Sequence, residues 1–136
     1  MIWILDTDVV SLLRRPDRVP HLAAWRDSTV EATLFTTVVT MGEIERGIHR
    51  QRRINPQFAE TLSEWARGMK RAFADRILDF DGSAAQIWGR LTVERGYESA
   101  ELLIASIALS RDATLVTRNT ADFAATGARI VNPLGG

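Results

Sequence analysis

The apolar positions of this chain change their period several times along its length. Short, nearly continuous runs at residues 2–5, 33–39, 77–80, 113–117 and 129–131 predict buried strands. Between them the apolar residues recur every three or four positions. Phe58, Leu62, Trp65, Met69 and Phe73 share one helical face, and Ala84, Ile87, Trp88 and Leu91 share another. Residues 100–109 are apolar nearly all round, which predicts a helix buried between layers. Strands alternating with helices imply right-handed crossovers and a parallel α/β sheet covered on both faces. In such open sheets ligands bind beyond the carboxyl ends of the strands, at a topological switch point. The segments just after each strand are therefore where chemistry is expected.

Four separate segments offer a carboxylate or an amide where a parallel sheet would gather them at one end. Asp6 ends the first run and Asp8 follows it. Glu43 follows the second strand, within Thr40-Met41-Gly42-Glu43. Glu101 lies in the first turn of the apolar helix, with Ser99 as a plausible N-cap, and Asn119 and Asp122 follow the fourth strand. Each also has a structural reading. Asp6 and Asp8 suit a turn or a cap, Thr40 and Glu43 suit a capping box, Glu101 suits the helix dipole, and Asn119 and Asp122 suit a turn. Asp81 reads as a turn or helix cap, and Trp3, Trp25, Trp65 and Trp88 read as core. Converging carboxylates raise each other's pKa unless a cation neutralises them. Magnesium is the natural counter-ion, being hard and oxygen-loving, and manganese is its nearest substitute.

Composition narrows this further. At 136 residues the chain suits a single domain, residues 1–136. The absence of cysteine excludes a disulfide framework and a thiolate zinc site, and two histidines disfavour a histidine-rich centre. No apolar stretch nears the roughly 20 residues of a membrane span, and no signal-like start is visible, so a cytoplasmic protein is expected. The formal net charge is zero, which excludes binding of nucleic acid through bulk positive charge. The 17 basic residues are nonetheless all arginine except Lys70, and residues 46–53 hold Arg46, Arg50, Arg52 and Arg53 without an acid. That cluster reads as a solvated helix face or as a phosphate-contact patch.

Together these segments resemble the PIN-domain proteins of the VapC toxin type. The resemblance is carried by Leu5-Asp6-Thr7-Asp8-Val9-Val10-Ser11, Thr40-x-Gly42-Glu43-Ile44-x-x-Gly47 and Leu103-Ile104-Ala105. It continues through Thr114-Leu115-Val116-Thr117-Arg118-Asn119, Asp122-Phe123 and Val131-Asn132-Pro133. It implies a three-layer α/β/α fold with a central five-stranded parallel sheet. It also implies a magnesium-dependent endoribonuclease, a homodimer, and inhibition by a VapB-type antitoxin. Asp6, Glu43, Glu101 and Asn119 take the places of the family's four active-site residues, with Asp122 as an accessory acid. Aspartate is usual where Glu101 stands. On this reading Asp6, Glu101 and Asp122 hold the metal and Glu43 orients or deprotonates water. The arginines at 46, 50, 52 and 53 guide RNA or contact the antitoxin.

Two alternatives remain open. One is a PIN fold that docks RNA or an antitoxin with little or no cleavage, suggested by Glu101 and Asn119. The other is a haloacid-dehalogenase-like phosphatase, whose first motif Ile4-Leu5-Asp6-Thr7-Asp8 also matches. That chemistry requires a lysine after a later strand, whereas Lys70 falls within the amphipathic pattern of 58–73.

Overall fold

The computed structural model describes residues 1–134. β1 (Trp3–Leu5) leads into α1 (Thr7–Leu12) and α2 (Pro20–Asp27), and β2 (Leu34–Thr37) into α3 (Val38–Ile54) and α4 (Pro56–Ala72). β3 (Ile77–Leu78) is followed by α5 (Gly82–Arg95) and α6 (Ala100–Ser110), and β4 (Thr114–Val116) by α7 (Thr120–Ala124) and β5 (Arg129–Val131). The five strands lie in the order β3-β2-β1-β4-β5 and every pairing is parallel. The chain steps outward from β1 to β2 and β3, then crosses to β4 on the other side of β1. The switch point therefore falls between β1 and β4.

Alternation along the central strands divides the core in two. Ile4 and Leu115 face a layer containing Leu91 of α5, Leu102 and Ile107 of α6, and Phe123 of α7. Leu5 and Val116 face the opposite layer, with Val9, Leu22, Ile44, Ile48 and Met69 of α1 to α4. This is the expected three-layer α/β/α arrangement. All four tryptophans pack against these clusters, Trp3 edge-on to Trp25 at 5.4 Å, as a core reading requires. Among the described residues no helix is long and apolar enough to cross a membrane.

Caps explain where the helices begin. Asn55 accepts from the Phe58 amide ahead of Pro56, Asp81 from Ala84, and Ser99 from Leu102. Gly96 ends α5 in the left-handed region at φ 79°, where a Cβ would be strained. One expected cap is corrected. Thr37, not Thr40, caps α3, accepting from the Thr40 amide at 3.2 Å. The β-branched run Thr36-Thr37-Val38-Val39-Thr40 has strand composition throughout, so the predicted strand ran on to residue 39. The helix in fact starts at Val38, and Glu43 lies beyond its first turn, out of the capping box.

Candidate active site

The carboxyl end of β1 sets the floor of the site. Asp6 caps α1, its Oδ1 accepting from the Val9 amide at 2.9 Å. Its Oδ2 accepts from the Thr117 hydroxyl, which lies just beyond neighbouring β4. The Thr117 hydroxyl in turn accepts from the Asn119 backbone N–H at 2.9 Å. Asp6 is only 4 % exposed. Burial pushes its carboxyl up from an ordinary 3.8 to about 6. The bonds from Thr117 and Val9 oppose that rise, and the charges of Asp8 and Glu43 add to it.

Above Asp6 opens a cavity of about 110 Å³, lined by Thr7, Asp8, Glu43, Glu101, Ile104, Asn119 and Phe123 as well. The acids that line it with Asp6 arrive on three different helices. Asp8 sits in the first turn of α1, Glu43 on α3 and Glu101 in the first turn of α6. The Thr7 hydroxyl donates to Glu43 Oε1 at 2.5 Å and lies 3.1 Å from the Thr40 hydroxyl, which ties α1 to α3 across the cavity mouth. Asn119 Nδ2 donates to Asp8 Oδ2 at 2.8 Å, and Arg118 Nε lies 3.6 Å from the same oxygen.

Of the residues expected to act, Asp6, Glu43, Glu101 and Asn119 are thus brought to one cavity. Asp122 is not: it is exposed on α7, while its neighbour Phe123 turns inward to line the cavity. Asp8, a candidate acid to which the sequence assigns no role in the site, lines it too, as does Thr7, while Thr117 holds Asp6; neither threonine is marked in the sequence as a site residue. The Thr-Arg-Asn sequence after β4 was visible, but its threonine carried no sign of reaching residue 6. Arg46 is exposed and lines a shallow groove that shares Glu43 with the cavity. Arg50, Arg52 and Arg53 are exposed further along α3. Lys70 pairs with Glu45 at 3.8 Å and lines no part of the cavity, which removes the phosphatase reading's lysine.

The donor set is all oxygen apart from the Asn119 side-chain nitrogen, and among the described residues no lysine or arginine lines the cavity. It suits a hard divalent cation. Among the described residues no three acidic, histidine or cysteine side chains converge closely enough to enclose an ion. Magnesium is compatible with that spacing, because it keeps several waters and takes only one or two carboxylates directly.

The PIN domain family model matches residues 3–128, nearly the whole sheet and every lining residue of the cavity. The chain belongs to the PIN-domain family. Within this PIN family it is 42 % identical over 78 residues to ribonuclease VapC14 of Mycobacterium tuberculosis, covering 57 % of this chain and 69 % of that protein. It is 29 % identical over 136 residues to toxin FitB of Neisseria gonorrhoeae, covering 96 % of each. The crystal structure of FitAcB from the same organism superposes with a TM-score of 0.86 at 28 % identity, covering 99 % of this chain and 100 % of that one. These PIN proteins of the VapC toxin type are what the sequence motifs resembled.

Proposed function

We propose that this PIN protein is a magnesium-dependent endoribonuclease and the toxin of a toxin–antitoxin pair. The observation that carries the reading is the cavity at the switch point. Asp6, Asp8, Glu43 and Glu101 face one volume that no basic side chain among the described residues lines, and burial, with the charges of Asp8 and Glu43 adding to it, lifts the Asp6 carboxyl to about 6. An arrangement that holds excess negative charge at such cost is suited to a cation. The likeness to a protein named ribonuclease and to one named toxin supports the same reading.

Asp6 and Glu101 would hold magnesium, with manganese as a substitute. A bound ion would supply charge neutralisation at the scissile phosphate. Thr117 and Val9 fix the Asp6 carboxylate, so its orientation is set before any ligand arrives. Glu43, oriented by Thr7, would accept a proton from the attacking water. Arg46, one helical turn beyond Glu43, offers a phosphate contact beside the cavity, and Arg50, Arg52 and Arg53 extend it along α3. A VapB-type antitoxin and a second copy of the chain are the proposed protein partners.

The spacing of the acids favours a second reading, a PIN module that binds RNA or antitoxin without cutting. One experiment separates the two. Purified protein should cleave RNA with added Mg²⁺ and stop with a chelator. Asp6→Asn should lower cleavage by more than about 100-fold, beyond the 10–100-fold typical of groups that only support a ligand. Equal cleavage by the two proteins would sink the nuclease proposal.

A further inference from the structure

The family resemblance allots the site's fourth place to residue 119, where this chain has an amide. We propose that Asp8 supplies the missing carboxylate, and that Asn119 is a positioning residue that holds Asp8 at the cavity. The inference rests on the nuclease reading and concerns which side chains provide its charge.

An acid in the first turn of a helix ordinarily needs no further explanation, since it complements the helix dipole. Asp8 differs in where it points and in what holds it. It lines the cavity, and the bond from Asn119 Nδ2 to its Oδ2 joins residues 111 positions apart at 2.8 Å. An ionised carboxylate can only accept, so the amide must present its nitrogen to Asp8. Arg118 approaches the same Oδ2, at 3.6 Å. Both partners engage Oδ2, which leaves Oδ1 as the oxygen for a ligand.

The two residues are complementary. Aspartate at both positions would set two carboxylates at hydrogen-bond distance, where neither stays ionised easily. An amide at both would keep the contact and remove a charge from the site. This chain carries one of each, and the contact itself depends only on there being one donor and one acceptor.

The test is an exchange. Divalent-ion binding is measured by calorimetric titration with MnCl₂, beside cleavage of RNA, on wild type, Asp8→Asn, Asn119→Asp and the double variant. Asp8→Asn should weaken Mn²⁺ binding by about 10–100-fold and lower cleavage with it. Asn119→Asp, although it adds an acid to the site, should also weaken both. The double variant should recover to within a few-fold of wild type. Asn119→Ala should weaken Mn²⁺ binding less than Asp8→Asn, and it probes the positioning role without altering Asp8. Wild-type binding and cleavage in Asp8→Asn would overturn the inference while leaving the nuclease reading intact. A double variant no better than its worse parent would overturn the complementary pairing. A wild type that neither binds Mn²⁺ nor cleaves would sink both readings at once.

Discussion

At the amino-terminal ends of the strands acids meet arginines, whereas at the carboxyl ends they meet one another. Arg76, just before β3, is 12 % exposed in its side chain and pairs with Glu31 at 3.8 Å and Asp75 at 3.6 Å. It also donates to the carbonyls of Glu31, Leu34 and Ala72. Arg129 opens β5 and pairs with Asp112 at 2.8 Å. At the opposite end Asp6, Asp8, Glu43 and Glu101 share a cavity, and Arg118, 53 % exposed, is the one cation that pairs with any of them among the described residues. The same residue types thus stabilise one pole and load the other with uncompensated charge. A fold under selection for stability alone has no reason to keep the second arrangement.

The largest effect should come from the buried acid. Asp6 titrates near 6 in the folded chain and near 3.8 when unfolded, so the folded state holds the extra proton between those values. The contribution of Asp6 to the stability of the metal-free protein is therefore greatest below about pH 4, falls as pH rises through 6, and is flat above. That fall is about 3 kcal/mol. Asp6→Asn should remove it, making the variant more stable than wild type at pH 8 and no more stable at pH 4. Urea unfolding at the two pH values checks this. Saturating Mg²⁺ should narrow the difference at pH 8 by stabilising wild type alone. An Asp6→Asn variant equally destabilised at both pH values would mean that the carboxyl pole is not strained by charge.

A smaller effect is expected at Glu101. It stands in the first turn of α6, and the acids around the cavity do not converge on a common point. Glu101→Asp shortens the reach by one methylene and widens that gap. Mn²⁺ binding should weaken by about 10-fold, since hard cations tolerate poor geometry badly. Tighter binding would mean that the glutamate is too long for its place, and would favour the non-cutting reading for the natural chain.

How far the sequence disclosed all this follows from the range of each interaction. Every strand was legible, because a buried parallel strand is a continuous apolar run. The helices α4, α5 and α6 were legible from their apolar patterns, whereas α3 showed only a capping signal and a basic face, and six-residue α1 and five-residue α7 are too short to display a period. The start of α3 was misplaced because Val38 and Val39 suit a strand as well as a helix, and only the Thr37 hydroxyl marks the change. Asp6, Glu43, Glu101 and Asn119 were legible as acids or amides following strands or opening helices. The roles of Thr117 and Asp8 were not, since each is defined by a partner 111 residues away. Nothing in Ala121-Asp122-Phe123 reveals that the phenylalanine, rather than the acid, turns toward the cavity.

The smallest effect should be found at the amino-terminal pole. Asp112 is 88 % exposed in its side chain, so its pair with Arg129 works in high dielectric and is screened by salt. Its backbone sits at φ 52°, a left-handed conformation that aspartate and asparagine tolerate better than alanine. Asp112→Asn therefore removes the charge without adding backbone strain. It should cost less than about 1 kcal/mol at low ionic strength and almost nothing in 1 M salt. Cleavage and Mn²⁺ binding should be unchanged. Removing a well-paired surface acid would then matter less than removing a buried, unpaired one, and with the opposite sign. Should Asp112→Asn instead cost several kcal/mol regardless of salt, the pole would owe its stability to something other than exposed ion pairs. The contrast between the two ends of the sheet would then lose its electrostatic basis.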